Sequence, residues 1–201
     1  MNDTELEAFL DSQKGLDDED IVETKPMKRA RALFDFIEIV TFTILIILVL
    51  SSFLVRHTVV DGASMDKTLA DGQHLIISDF LYTPKYGDII VFQPLNADST
   101  APLIKRVIAT AGQTVEINDG VVYINGVAID EEYVYLDGAI DPRYLDYPET
   151  EIPEGYVFVL GDHRNNSKDS RYDEIGLVDV RSILGRVILR ITPLSKFGAV
   201  D

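Results

Sequence analysis

The sequence predicts a mainly β domain preceded by one transmembrane helix. Three observations carry that expectation. Ile39 to Val55 is a 17-residue run without a charge. Beyond it the pattern changes to short segments rich in Val, Ile, Tyr and Phe. Tight-turn dipeptides separate some of those segments.

The first 24 residues carry nine acids and one lysine with few apolar side chains, a composition expected to stay disordered. "KPMKRAR", 25–31, then supplies four bases. With "LFDF" before it, the stretch exceeds the roughly 20 residues that a bilayer crossing requires. A buried core helix of this length would show a polar stripe, and this run offers only Thr and Ser. The bases before the span place the N-terminus in the cytoplasm, with Asp35 and Glu38 near that interface, and the rest of the chain outside. A cleavable signal peptide fits less well, because the lead is long and acidic and no A-x-A site follows. The expected organisation is a cytoplasmic tail over 1–31, a signal anchor over 32–55 and an extracytoplasmic β domain over 56–201.

That outer domain must rest on its hydrophobic core, since the chain has no cysteine. The same fact excludes disulfides, a thiol nucleophile and cysteine-bound zinc. Net charge is −16, and from Arg56 onward 23 acids face 13 bases. A nucleic-acid binder would present a basic face instead. The strand candidates, in order, are "HTVVD", "HLIIS", "GDIIVF", "LIKRVIAT", "TVEI", "VVYI", "YVFVL" and "GRVILRI". Asp119-Gly120 and Asn125-Gly126 mark tight hairpin turns. Residues 131–155, rich in Tyr, Asp and Pro, read as an insertion.

Ser64 follows Gly62-Ala63 at the end of a strand candidate. A serine hydroxyl is a weak nucleophile until a base takes its proton. His57, His74 and His163 are available, and His163 beside Asp162 makes a Ser-His-Asp triad conceivable. The G-x-S-x-G frame is missing, however. Lys105 lies among Leu103, Ile104, Val107 and Ile108, where desolvation should lower its pKa and yield a usable amine base. A plainer reading is an edge-strand lysine that blocks aggregation. Alternation along a strand sends Lys105 and Arg106 to opposite faces. The polar loop "GDHRNNSKDSRYDEIG", 161–176, lacks the glycine and spacing of a calcium loop.

Together these segments resemble the type I signal peptidases, membrane-bound Ser-Lys proteases, and in particular the single-span Gram-positive type. Four blocks carry the resemblance in family order: "SMDKTL" from Ser64, "GDIIVF" at 87–92, "KRVIATAG" from Lys105 and "GDHRNNSKDSR" from Gly161. The resemblance implies a signal-peptidase-like β fold that cleaves signal peptides from exported preproteins, after small residues at −1 and −3. It implies Ser64 as nucleophile, Lys105 as general base and Ser167 as the hydroxyl that orients the amine. Asp169 and Arg171 match a structural ion pair that Arg106 completes. Gly62 stands where some members add an oxyanion-stabilising serine. Val60, Met65, Leu69 and Ile104 match pocket-lining positions. No metal or organic cofactor is implied, and membrane lipid is the other expected partner. Two residues depart from the motif: Lys67 replaces its proline, and His163 its asparagine. Lys67 is thereby a rival base, though its surroundings look solvated. Other readings are a self-cleaving repressor, which would carry a DNA-binding domain, and a paralogue acting as a membrane scaffold in surface-protein or pilus assembly.

Overall fold

The computed structural model describes Glu7, residues 25–95, 101–139, Asp141 and 146–200. The acidic tail lies outside these residues apart from Glu7. The chain divides into two compact units, Met1–Val49 and Leu50–Asp201.

One helix, α1, runs Lys25–Leu54. Its Lys28–Val49 stretch is long and apolar enough to cross a membrane, and none of it is buried against protein. Large apolar side chains such as Phe34, Phe42 and Leu48 are exposed around it. Exposure of this kind on all sides suits a lipid environment rather than a protein core. Thr41 and Thr43 donate their hydroxyls to the carbonyls four residues back, which removes the polar groups that would resist burial in hydrocarbon.

The second unit is built from eleven strands among the described residues. They are β1 (Arg56–Val59), β2 (His74–Ser78), β3 (Ile89–Phe92), β4 (Leu103–Thr110), β5 (Thr114–Asn118), β6 (Val121–Ile124), β7 (Val127–Ala128), β8 (Tyr147–Glu151), β9 (Tyr156–Leu160), β10 (Val178–Asp179) and β11 (Ile183–Arg190). One sheet has the order β1-β2-β11-β3-β4-β9-β10, the other β7-β6-β5-β8. All pairings between these strands are antiparallel. The two turn dipeptides act as the sequence suggests. Asp119-Gly120 joins β5 to β6 and Asn125-Gly126 joins β6 to β7, all four residues at positive φ, as the favoured two-residue hairpin turn demands.

Segment 131–155 is not a simple added loop. Tyr147–Glu151 pair with β5 as an edge strand. Its "YPETE" sequence lacks the β-branched run by which the other strands announce themselves, because little of it is buried.

The position of β4 matters most for the site. It is an interior strand, between β3 and β9, and six of its eight residues are buried. Lys105 itself is buried, so the reading of an edge-strand lysine that blocks aggregation fails. The pairing is staggered: β3 holds Leu103 to Arg106, whereas β9 holds only Arg106 to Thr110. Among the described residues, 103–105 thus have a strand on one side and none paired on the other.

Candidate active site

Ser64 sits in a turn just beyond β1. The Asp66 N–H donates to the Ala63 carbonyl at 3.1 Å, and the Leu69 N–H to that of Met65 at 2.7 Å. Met65 and Leu69 anchor the turn by burying their side chains in a core cluster with Val60, Leu75, Ile77, Ile89, Val91, Ile104 and Val187. All four residues expected to line a substrate pocket, Val60, Met65, Leu69 and Ile104, thus belong to one packed wall. An open cleft of about 380 Å³ adjoins the serine, bounded by 61–64 on one side and by 165–168 with Tyr172 on the other. Gly62, at φ +92°, is exposed in it, and its N–H donates to Asp71 Oδ1 at 2.8 Å.

Lys105 reaches this turn from β4. Its side chain is 2% exposed, and Nζ lies 2.8 Å from Ser64 Oγ and 3.0 Å from the Ile104 carbonyl oxygen. Burial pulls its pKa from 10.5 down to about 8 against the opposing pull of Asp169 and Asp162. The amine is therefore partly neutral near physiological pH. Lys67, the rival, is exposed and rests its ammonium over the Tyr135 ring at 4.2 Å. The histidines do not take the serine hydroxyl. His57 Nε2 and His74 Nδ1 lie 2.8 Å apart, paired with each other across β1 and β2. The His163 ring addresses the Ala63 carbonyl.

The polar loop after β9 closes the site from behind. Gly161 leaves no room for a side chain: a Cβ there would collide with the Ser167 side chain and the Ser64 carbonyl. Ser167 is buried in this packing, but its Oγ has no hydrogen-bond partner, whereas Lys105 Nζ bonds to Ser64. The expected contact between Ser167 and the amine is therefore not among the bonds formed.

The ion-pair expectation needs a correction. Asp169 and Arg171 form a buried bidentate pair at 2.8 and 2.9 Å. The bidentate partner of Arg106, however, is Asp162, at 2.9 and 2.8 Å, and not Asp169. Arg171 already occupies both Asp169 oxygens, so a second guanidinium needs its own carboxylate. Asp162 also accepts the Thr68 hydroxyl at 2.6 Å, which ties the "SMDKTL" turn to the 161–176 loop. Sequence reasoning gives Thr68 no role and considers Asp162 only for a triad; their place in two motif blocks is the available signal. Asp162→Ala would leave the 3%-exposed Arg106 without this carboxylate. We expect it to lower unfolding stability by about 3–5 kcal/mol, measured by denaturant titration in detergent.

No group of three His, Cys, Asp or Glu side chains among the described residues is placed to hold a metal ion.

A family profile described as "Signal peptidase, peptidase S26" matches residues 33–192. The chain belongs to the signal peptidase family. It is 36% identical over 171 residues to "Probable signal peptidase I-1" of Synechocystis, covering 81% of this chain and 84% of that one. It is 29% identical over 189 residues to "Signal peptidase I" of Bacillus licheniformis, covering 90% and 100%. A solved signal peptidase I from Enterococcus faecalis V583 overlays at a TM-score of 0.42 with 32% identity, over 52% of this chain and 97% of that one. As a member of the signal peptidase family the chain is a serine endopeptidase, and the one long apolar helix among its described residues fits a membrane anchor.

Proposed function

We propose that this chain removes N-terminal signal peptides from exported preproteins, with Ser64 as nucleophile and Lys105 as general base. The observation that carries the assignment is the 2.8 Å contact between a buried lysine amine and the Ser64 hydroxyl. The neutral amine accepts the hydroxyl proton as Oγ attacks the scissile carbonyl carbon. The ammonium then protonates the departing amine, the new N-terminus of the mature protein. An ester links the signal peptide to Ser64. A water molecule, deprotonated by the same amine, hydrolyses that ester, and the proton returns to Oγ.

The Ser64 backbone N–H is one oxyanion donor; glycine at position 62 has no side-chain hydroxyl to add. Ser167, whose buried hydroxyl is unpaired, would orient the amine during turnover. Asp169, Arg171 and Arg106 keep the loop and strand in register. The substrate adds as an extended strand beside residues 58–63 and 102–105, of which 103–105 pair on one side only among the described residues. Val60, Met65, Leu69 and Ile104 form a filled apolar wall, which suits small side chains at −1 and −3. The anchor spans the cytoplasmic membrane with the N-terminus inside and the β domain outside, in keeping with the four bases before the span. Lipid contact through this helix confines the enzyme to the same membrane that holds the apolar part of a signal peptide, which raises effective concentration.

The test is cleavage of an A-x-A preprotein by the purified full chain in detergent, beside Ser64→Ala, Lys105→Ala and Lys67→Ala. Wild type yields mature product, the first two variants yield none, and Lys67→Ala keeps most of the activity. Loss in Lys67→Ala alone would transfer the base role to that residue. No product from wild type at any pH from 6 to 10 would favour a membrane scaffold.

A further inference from the structure

His163 departs from the family motif, and it touches the nucleophile's backbone twice. Its own backbone N–H donates to the Ser64 carbonyl at 3.1 Å. Its ring Nδ1 lies 3.1 Å from the Ala63 carbonyl oxygen. A carbonyl oxygen only accepts, so this contact assigns a proton to Nδ1. The second contact has a geometric consequence. The Ala63 carbonyl and the Ser64 N–H belong to one planar trans peptide and point in opposite directions. Fixing the carbonyl therefore aims the N–H. That N–H makes none of the backbone bonds that tie the turn together, which leaves it available to a developing oxyanion.

The ring is itself held. Tyr135 and His163 stack with centroids 4.7 Å apart, and their backbones form a parallel bridge. Asp137 Oδ1 lies 3.0 Å from Nε2, a contact that is an ion pair only with a protonated imidazole. The Asn165 amide also donates to Asp137, at 2.9 Å. These neighbours, His163 first and Asn165 second, hold the Asp137 carboxyl below its ordinary range. Four residues before Asp137, Tyr133 lies under the Arg106 guanidinium at 4.0 Å, and Glu131 clamps Arg164 at 2.6 and 2.9 Å. The segment opens with a turn, in which the Val134 N–H donates to the Glu131 carbonyl at 3.0 Å, and Glu131, Tyr133, Tyr135 and Asp137 each contact β4 or the loop after β9.

We propose that His163 is a positioning residue that aims the Ser64 N–H into the oxyanion site, and that Asp137 and Tyr135 act through it. The proposal rests on the Ser64 assignment above. It gives the start of segment 131–155 a task in turnover, and it supplies order at a turn where the motif proline is lysine.

The test uses the full chain in detergent with an A-x-A preprotein. Removing an oxyanion donor costs about 10²–10³ in kcat, so misaiming one should cost on the order of tenfold. His163→Ala is expected to lower kcat by about tenfold while KM stays within about twofold. His163→Asn keeps a side-chain N–H donor and should recover most of that loss. Asp137 is half exposed and can be truncated without opening the core. Asp137→Ala should lower kcat several-fold in the otherwise unchanged chain. Combined with His163→Asn it should cause no further loss, because its effect passes through the imidazole. Equal factors on both backgrounds, an unchanged kcat in His163→Ala, or a loss expressed wholly in KM would overturn the proposal. Hydrogen exchange over residues 61–69 supplies a readout that needs no turnover. It should rise in both His163→Ala and Asp137→Ala, and unchanged exchange would also overturn the proposal. Should wild type itself cleave nothing, the protease reading fails, and the exchange measurement still decides whether His163 orders the turn.

Discussion

Lys105→Met is expected to abolish cleavage and, at neutral pH, to make the protein more stable. The loss of rate should reach about 10⁴-fold or more, since one group serves as base, acid and water activator. The gain in stability follows from the same burial. With a folded pKa of about 8 against an ordinary 10.5, the folded chain binds fewer protons than the unfolded chain between those values. Stability then rises with pH across that window. Below pH 8 the full desolvation penalty applies, about 3 kcal/mol from a shift of this size. Methionine fills a similar volume without a charge, so the variant escapes the penalty. Thermal melts at pH 7 and pH 10.5 check this. The variant should melt higher at pH 7, and its advantage should shrink toward pH 10.5. A variant that is inactive and also less stable at pH 7 would mean that the amine is held by compensating contacts and is not strained by burial.

The pH dependence of cleavage is the second large effect. Only the neutral amine can accept the serine proton. With a pKa of about 8, about one Lys105 in ten is neutral at pH 7 and about nine in ten at pH 9. The second-order rate, kcat/KM, should therefore climb about tenfold per pH unit below pH 8 and level off above it. Lys67→Ala should leave that midpoint where it is, because the Lys67 ammonium lies over Tyr135 in the open. A midpoint near 6.5 instead would point to an imidazole base, and a flat profile from pH 6 to 9 would remove Lys105 from the proton transfer altogether.

Much of this is legible in the residues. Strands such as "LIKRVIAT" and "YVFVL" declare themselves because they are buried on both faces, which demands continuous β-branched and aromatic runs. The same apolar neighbours that identify β4 also identify Lys105 as desolvated, so fold and candidate base come from one observation. What the residues do not disclose depends on pairings between distant segments. Arg106 and Asp162 are 56 positions apart, and nothing local distinguishes Asp162 from Asp169 as the partner. The strand β8 is exposed and polar, so only its register against β5 defines it. The contacts of Glu131, Tyr133, Tyr135 and Asp137 stay hidden in a stretch that reads as an insertion, because the segment opens with a turn over 131–134 and Glu131 and Asp137 meet partners 33 and 28 positions on.

That stretch has a consequence for building hybrids between relatives. Its four side chains each grip a different feature: Arg164, Arg106, the imidazole and Asn165. A chimaera that exchanged only half of it would mate a donor's pegs with a recipient's sockets. Grafts should therefore carry 131–137 together with 161–167, as one matched cassette.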